Sequence, residues 1–235
     1  MGEEIVKIIN WAVAYFSKYE LMLWLGSMLA VLATFFIFDR TNYLTLIASI
    51  IGVTSLIFCA KGNPIGPFLM IIFSILYGII SFSLTYYGEM VTYVGMTLPM
   101  SALSLISWRK NPYAEDKVEV AVSCLTTKDW VKVAYLTIAV SIVFYFILKY
   151  FNTAYLNVST ISVGTSFAAA YLTYKRSPYY AIGYAINDLV LIILWILAAI
   201  EDISYLSVLM CFVIFFINDL YGYINWKRME QRQTE

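Results

Sequence analysis

The chain has 235 residues, 62% of them hydrophobic and 13% charged, against roughly 45–50% and about 25% in soluble domains; it reads as a membrane protein. Fifteen basic and fifteen acidic residues give zero net charge, so no global field points to nucleic acid or an acidic partner. The absence of histidine removes the commonest metal ligand, general base and pH switch, and Cys59, Cys124 and Cys211 form neither a CxxC pair nor an even disulfide set.

In chain order, MGEEIVKIINWAVAYFSKYE lacks a basic start and a cleavage site and is expected to form a helix at the membrane interface. Apolar stretches of the roughly 17–25 residues that cross a bilayer then recur at 21–38, 44–60, 67–85, 89–107, 132–151, 155–173, 179–200 and 204–224. Short joints with breakers or charges (DRTN, KGNPIG, YYG, KYFN, KRSP, ED) separate them, and only 108–131 is a real loop. The expected fold is therefore an all-α integral membrane protein of eight transmembrane helices. These spans put thirteen basic residues on one side, leaving Arg40 and Lys149 on the other; the positive-inside rule makes the rich side, with both termini, cytoplasmic.

The chain also resembles itself. KGNPIG at 61–66 precedes one span and KRSPYY at 175–180 another, 114 residues on; ISWRKN at 106–111 and INWKRM at 224–229 close spans 118 residues apart. This yields a three-plus-one-plus-three plan of two parallel three-helix repeats. The expected parts are 1–43, interfacial segment and extra helix; 44–111, first repeat; 112–152, loop and linking helix; and 153–235, second repeat and tail. Parallel repeats of this kind place a substrate site between the halves, near midplane.

Polar residues inside the spans are the candidates for that site. Tyr77 lies with Ser74, Gly78 and Ser81, which equally suit close helix contact. Glu89, at a helix N-terminus, reads as exposed; Tyr93, Thr97 and Ser101 follow it on one face, and Pro99 is expected to kink the helix and free a carbonyl. Tyr180, Tyr184, Asn187, Leu191 and Trp195 share another face. INDL occurs twice, at 186–189 and 217–220, setting Asn187 beside Asp188 and Asn218 beside Asp219. A carboxylate at membrane depth costs roughly 2.5–3.5 kcal/mol or more on insertion scales, and no Lys or Arg near a span centre offers a partner. Either the aspartates stay protonated, or they face water, or a cationic ligand pairs with them; hydrogen-bond glue between helices is the alternative. Trp108 and Trp226 read as interface anchors.

The segments INDLVLIILW (186–195), FFINDLYGYINWKRMEQRQ (215–233) and YYGEMVTYVGMTLPMSALSLISWRKNP (86–112) resemble the PnuC family of bacterial nicotinamide riboside transporters, which shares the three-plus-one-plus-three plan. Ser101 departs from the glutamine that many members carry. The resemblance implies facilitated diffusion across the bacterial inner membrane, trapping by phosphorylation and supply of NAD synthesis, with no enzyme activity and no cofactor. It implies nicotinamide riboside as the small-molecule partner, bound between the repeats by Asn187, Asp188, Asn218 and Asp219, with Trp195, Tyr184, Tyr77, Tyr93 and Ser101 close by. Aromatic faces suit the pyridinium, amides its carboxamide or ribose, and an aspartate its charge. Relatives of the fold that carry thiamine, riboflavin or deoxynucleosides keep other substrates open. Proton-coupled uptake and an aspartyl intramembrane hydrolase are further alternatives, and a homo-oligomer remains compatible with the sequence.

Overall fold

A computed structural model describes residues 14–40, 42–83, 87–114, 118–201 and 203–235. The expected interfacial helix falls mostly outside the described residues. The eight long helices are α1 (Lys18–Thr34), α2 (Tyr43–Ala60), α3 (Ile65–Ser83), α4 (Tyr87–Lys110), α5 (Thr127–Tyr150), α6 (Leu156–Tyr174), α7 (Tyr179–Glu201) and α8 (Leu206–Thr234). Side-chain caps fix several starts by satisfying orphan N–H groups: Ser17 with Glu20 before α1, and Thr126 with Asp129 before α5, form capping boxes. Among the described residues, seven helices are long and apolar enough to cross a bilayer. The other, α6, has the length, 19 residues, but carries many Ser and Thr. It can afford them because α4, α5 and α7 all pack on it, leaving little of its surface to lipid. By contrast α5 exposes Val131, Tyr135, Ile138, Ile142 and Phe146, a stripe at helical spacing that suits hydrocarbon.

The repeat holds down to single hydrogen bonds. After α2, Gly62 N–H donates to Cys59 O and Asn63 N–H to Phe58 O; after α6, Arg176 N–H donates to Thr173 O and Ser177 N–H to Leu172 O. Gly62 (φ 64) and Arg176 (φ 58) both take the left-handed conformation that ends a helix. The first unit, α2–α4, meets the second, α6–α8, through two equivalent contacts, α8 on α2 and α4 on α6. The linking helix α5 packs on α6, and α1 packs on α2 in the matching position. The basic residues of the joints, among them Lys61, Arg109, Lys175 and Arg176, gather at one end of the bundle, called here the basic end.

At that end the sequence expectation for two tryptophans fails. Trp108 and Trp226 are 1% and 0% exposed, and their rings meet at 5.3 Å between the units. Trp108 Nε1–H donates to Thr173 O and Trp226 Nε1–H to Cys59 O, each at 2.8 Å. The residues just before them repeat the reach: Ser107 Oγ–H to Tyr174 O at 2.9 Å and Asn225 Nδ2–H to Ala60 O at 2.8 Å. Each unit's closing I-x-W thus grips the end of the other unit's first helix. The carbonyls of a helix's last turn lack intrahelical partners, so burying indoles against them satisfies both sides where an interface position would satisfy only one. The 118–126 segment crosses beneath this lock and bonds the equivalent carbonyls of both turns, Val120 N–H to Gly62 O and Ser123 N–H to Arg176 O. A partly buried ion pair, Lys61 to Glu20 at 3.0 Å, ties the start of α1 to the first turn.

Candidate functional site

Between the units, on the far side of the lock, α4, α6 and α7 enclose a polar cavity of about 30 Å³, room for about one water. Asn187 projects into it and is 6% exposed. Its Oδ1 accepts from Thr165 Oγ at 2.9 Å and Ser162 Oγ at 3.2 Å, which turns the amide Nδ2–H₂ the other way, with no acceptor among the described residues. Across from it lie Tyr93 and Thr97, held in a π-helical turn, Tyr93–Thr97. Pro99 explains that turn: it cannot donate to Gly95, and the helix widens just before it, Leu98 N–H reaching back five residues to Tyr93 O. Gly78 lets the widened turn sit against α3, since a Cβ there would lie 2.5 Å from Val94 Cγ2. Tyr93 in turn packs on Tyr77 at 4.4 Å and Phe73 at 5.8 Å.

Glu89 and Ser159 line this cavity and a larger one above it. The larger is a vestibule of about 360 Å³ at the end opposite the lock, within the roughly 300–1,000 Å³ typical of small-molecule sites. Its walls are the start of α4, the 151–155 turn and the end of α7, with Tyr87, Phe151, Tyr155, Trp195 and Tyr205 among them. Tyr155, itself at φ 51, donates through its hydroxyl to Glu201 at 2.6 Å. Trp195 stacks on Phe212 at 6.4 Å and 13°, and its indole N–H is buried without a partner. No Lys or Arg lines either cavity among the described residues. Glu89 is not a fully solvated helix start: it is partly buried and lines both cavities, at the neck between them.

The two aspartates are neighbours. The INDL copies lie on adjacent antiparallel helices, α7 and α8, which brings Asp188 (3% exposed) and Asp219 (4%) close to one another across that interface. A hydrogen bond between them would require a proton on one carboxyl. Asp188 Oδ2 has no partner among the described residues. The remaining candidates separate. Asn218 Nδ2–H₂ donates to Ser27 on α1 at 2.9 Å and to Ile214 O at 2.8 Å; Tyr77 lines an apolar pocket with Phe73 and Phe215; Tyr184 and Ser101 line a cavity of about 20 Å³ next to the lock.

The profile of the Nicotinamide mononucleotide transporter family matches residues 42–228, both repeats together. The chain belongs to that family. It is similar to the nicotinamide riboside transporters PnuC of Neisseria mucosa, 26% identical over 90% of this chain and 82% of that protein, and Haemophilus influenzae, 23% identical over 81% and 82%. Its fold matches a solved structure, a crystal structure of the vitamin B3 transporter PnuC, with a TM-score of 0.80 at 23% identity, over 93% of this chain and 94% of that one. The chain is thus a multi-pass membrane protein of a PnuC-type transporter family, with the family's all-helical fold, and not an enzyme.

In this PnuC-type chain sequence reasoning set Glu89 aside as an exposed helix start and left the hydroxyls of α6 unweighed. A signal for the second was present: Ser159, Ser162 and Ser166 recur every three to four residues on one face, in the least apolar of the eight helices. Glu89 carried none, because the turn that covers it arrives from residues 151–155.

Proposed function

We propose that this protein carries nicotinamide riboside across the bacterial inner membrane by facilitated diffusion, with the lock at the cytoplasmic end and the vestibule facing outward. The observation that carries the reading is the pair of adjoining cavities that share Glu89 and Ser159, one walled by aromatic rings and the other lined by Asn187, with no Lys or Arg among their described lining residues. The two curated relatives bear that substrate in their names. The unmatched amide of Asn187 suits the ligand's carboxamide or ribose, and Tyr93 and Trp195 suit its ring. A phosphorylated ligand would find no cation to receive it, so the mononucleotide is refused even though the family takes its description from it. The inner cavity is too small for a nucleoside as it stands, so passage needs the units to part, first there and then at the lock. Uptake supplies NAD synthesis once a cytoplasmic kinase traps the ligand. The basic end, with the end of α8, is cytoplasmic because it gathers most of the Lys and Arg.

The test is uptake of labelled nicotinamide riboside into liposomes holding the purified chain, with thiamine, riboflavin, a deoxynucleoside and nicotinamide mononucleotide as competitors. The label is expected to equilibrate without accumulating, unaffected by a protonophore, and Asn187→Ala to slow it at least about tenfold, the cost of one well-placed polar contact. Preferential uptake of thiamine, or accumulation that a protonophore abolishes, would overturn the assignment.

A further inference from the structure

We infer that the vestibule is a binding site in its own right, selecting N-substituted pyridinium rings by charge before they reach Asn187, and that Glu89 at its neck is the selecting group. This rests on the proposed function only for the direction of travel; the site itself is built from the residues that line it. Three observations converge. The cavity, about 360 Å³, is the one of the two adjoining spaces with room for a nucleoside-sized molecule. Its walls are aromatic, and aromatic faces attract cations. Its only charged lining groups among the described residues are Glu89 and Glu201, and they differ in kind: Glu201 is exposed at the rim and accepts from Tyr155, while the Glu89 carboxyl, partly buried at the neck, has no hydrogen-bond or ion-pair partner among the described residues.

Glu89 lines both the cavity that holds Trp195 and the one that holds Asn187, so its carboxylate stands between the two, where low surrounding polarity strengthens the attraction of a cation and leaves a neutral ring indifferent. Asn187, 94% buried and lining the adjoining cavity, supplies a second group there, its Nδ2–H₂, that has no acceptor among the described residues. The backbone is shaped to keep the neck open. Gly88, next to Glu89, sits so close to the 151–155 turn that a Cβ would lie 2.2 Å from Thr153 Oγ1, so a larger residue there would push the turn away and unmake the wall.

The experiment uses two probes that lack ribose: 1-methylnicotinamide, a cation, and nicotinamide, its neutral counterpart. Binding to the purified full chain is read as quenching of Trp195 fluorescence, with Trp195→Phe as the blank. The native chain should prefer the cation by about tenfold or more. Glu89→Gln should erase the preference, and Glu89→Asp should restore part of it. Ala198→Lys, which places a cation in the same wall, should weaken the charged probe alone, so the inference stays testable if Glu89→Gln does not fold. Equal quenching by both probes, or a preference unchanged in Glu89→Gln or in Ala198→Lys, would overturn the inference. The two readings fail separately. A charge preference in a chain that does not carry nicotinamide riboside leaves the vestibule standing and removes the substrate; transport with no charge preference does the reverse.

Discussion

Asp188 and Asp219 show how far a residue's setting changes its meaning. Each alone is a costly group in an apolar helix; together they are neighbours across the α7–α8 interface, where one shared proton would join them. Asp219→Asn keeps a hydrogen-bonding group and is expected to preserve thermal stability in detergent within about 1 kcal/mol. Asp219→Ala leaves Asp188 buried with nothing opposite and should cost roughly 1–3 kcal/mol. Equal melting temperatures for the two variants would show that the pair does not bond. Asn187 stood out in the sequence from its place on an aromatic stripe within a membrane span, and the structure sets it against a small polar cavity. Asn218, identical in local sequence, bonds Ser27 instead, and no local pattern separates the two, because the difference lies in which helix arrives opposite. Glu89 was misread for the same reason: only the turn at 151–155 converts an exposed helix start into a neck.

At the scale of elements, the eight helices and their breaks followed from apolar length and from the K-x-x-P turns, since a bilayer sets helix length directly. The π-helical turn in α4 was half legible. Pro99 announced a fault in the helix but not its form, which depends on Gly78 giving α3 room to receive Val94. That contact is open to a double-mutant cycle. Gly78→Ala forces a methyl to within 2.5 Å of Val94 Cγ2 and is expected to destabilise by about 1–3 kcal/mol, as overpacking does. Val94→Ala in the same chain should recover most of it. Additive losses, measured as thermal shifts in detergent, would mean that the two residues do not meet. The polarity of α6 was visible as composition, yet its cause, cover on three sides, needed the packing.

For the whole molecule, the repeat was readable as two motif pairs but not as a mutual contact, because interface anchoring also places tryptophan beside Lys and Arg. The crossed bonds of Trp108 and Trp226 close one end of the bundle, and a native reporter lies just inside. Cys59 is 7% exposed and lines the small cavity beside the lock. Trp226→Phe removes the donor to Cys59 O at a cost of about 1 kcal/mol, so the end should open about fivefold more often. Alkylation of Cys59, followed by mass spectrometry and compared with exposed Cys124 as internal reference, should speed up accordingly. A labelling rate equal to the native one would remove the lock from any role in opening.

The same lock has a consequence for how charge is distributed. Every three-helix unit carries both a closing tryptophan and the carbonyls that receive one, so two identical copies facing across a twofold axis could make these contacts unaided. The 114- and 118-residue offsets set Ser74 opposite Asp188 and Ser101 opposite Asp219, all four buried. A symmetric pair of second units would bring four carboxyls into the middle of the bilayer, and a pair of first units none. Covalent fusion through α5 lets one half be acidic and the other neutral, so a single carboxyl pair persists at a depth where identical subunits would have to double it or do without.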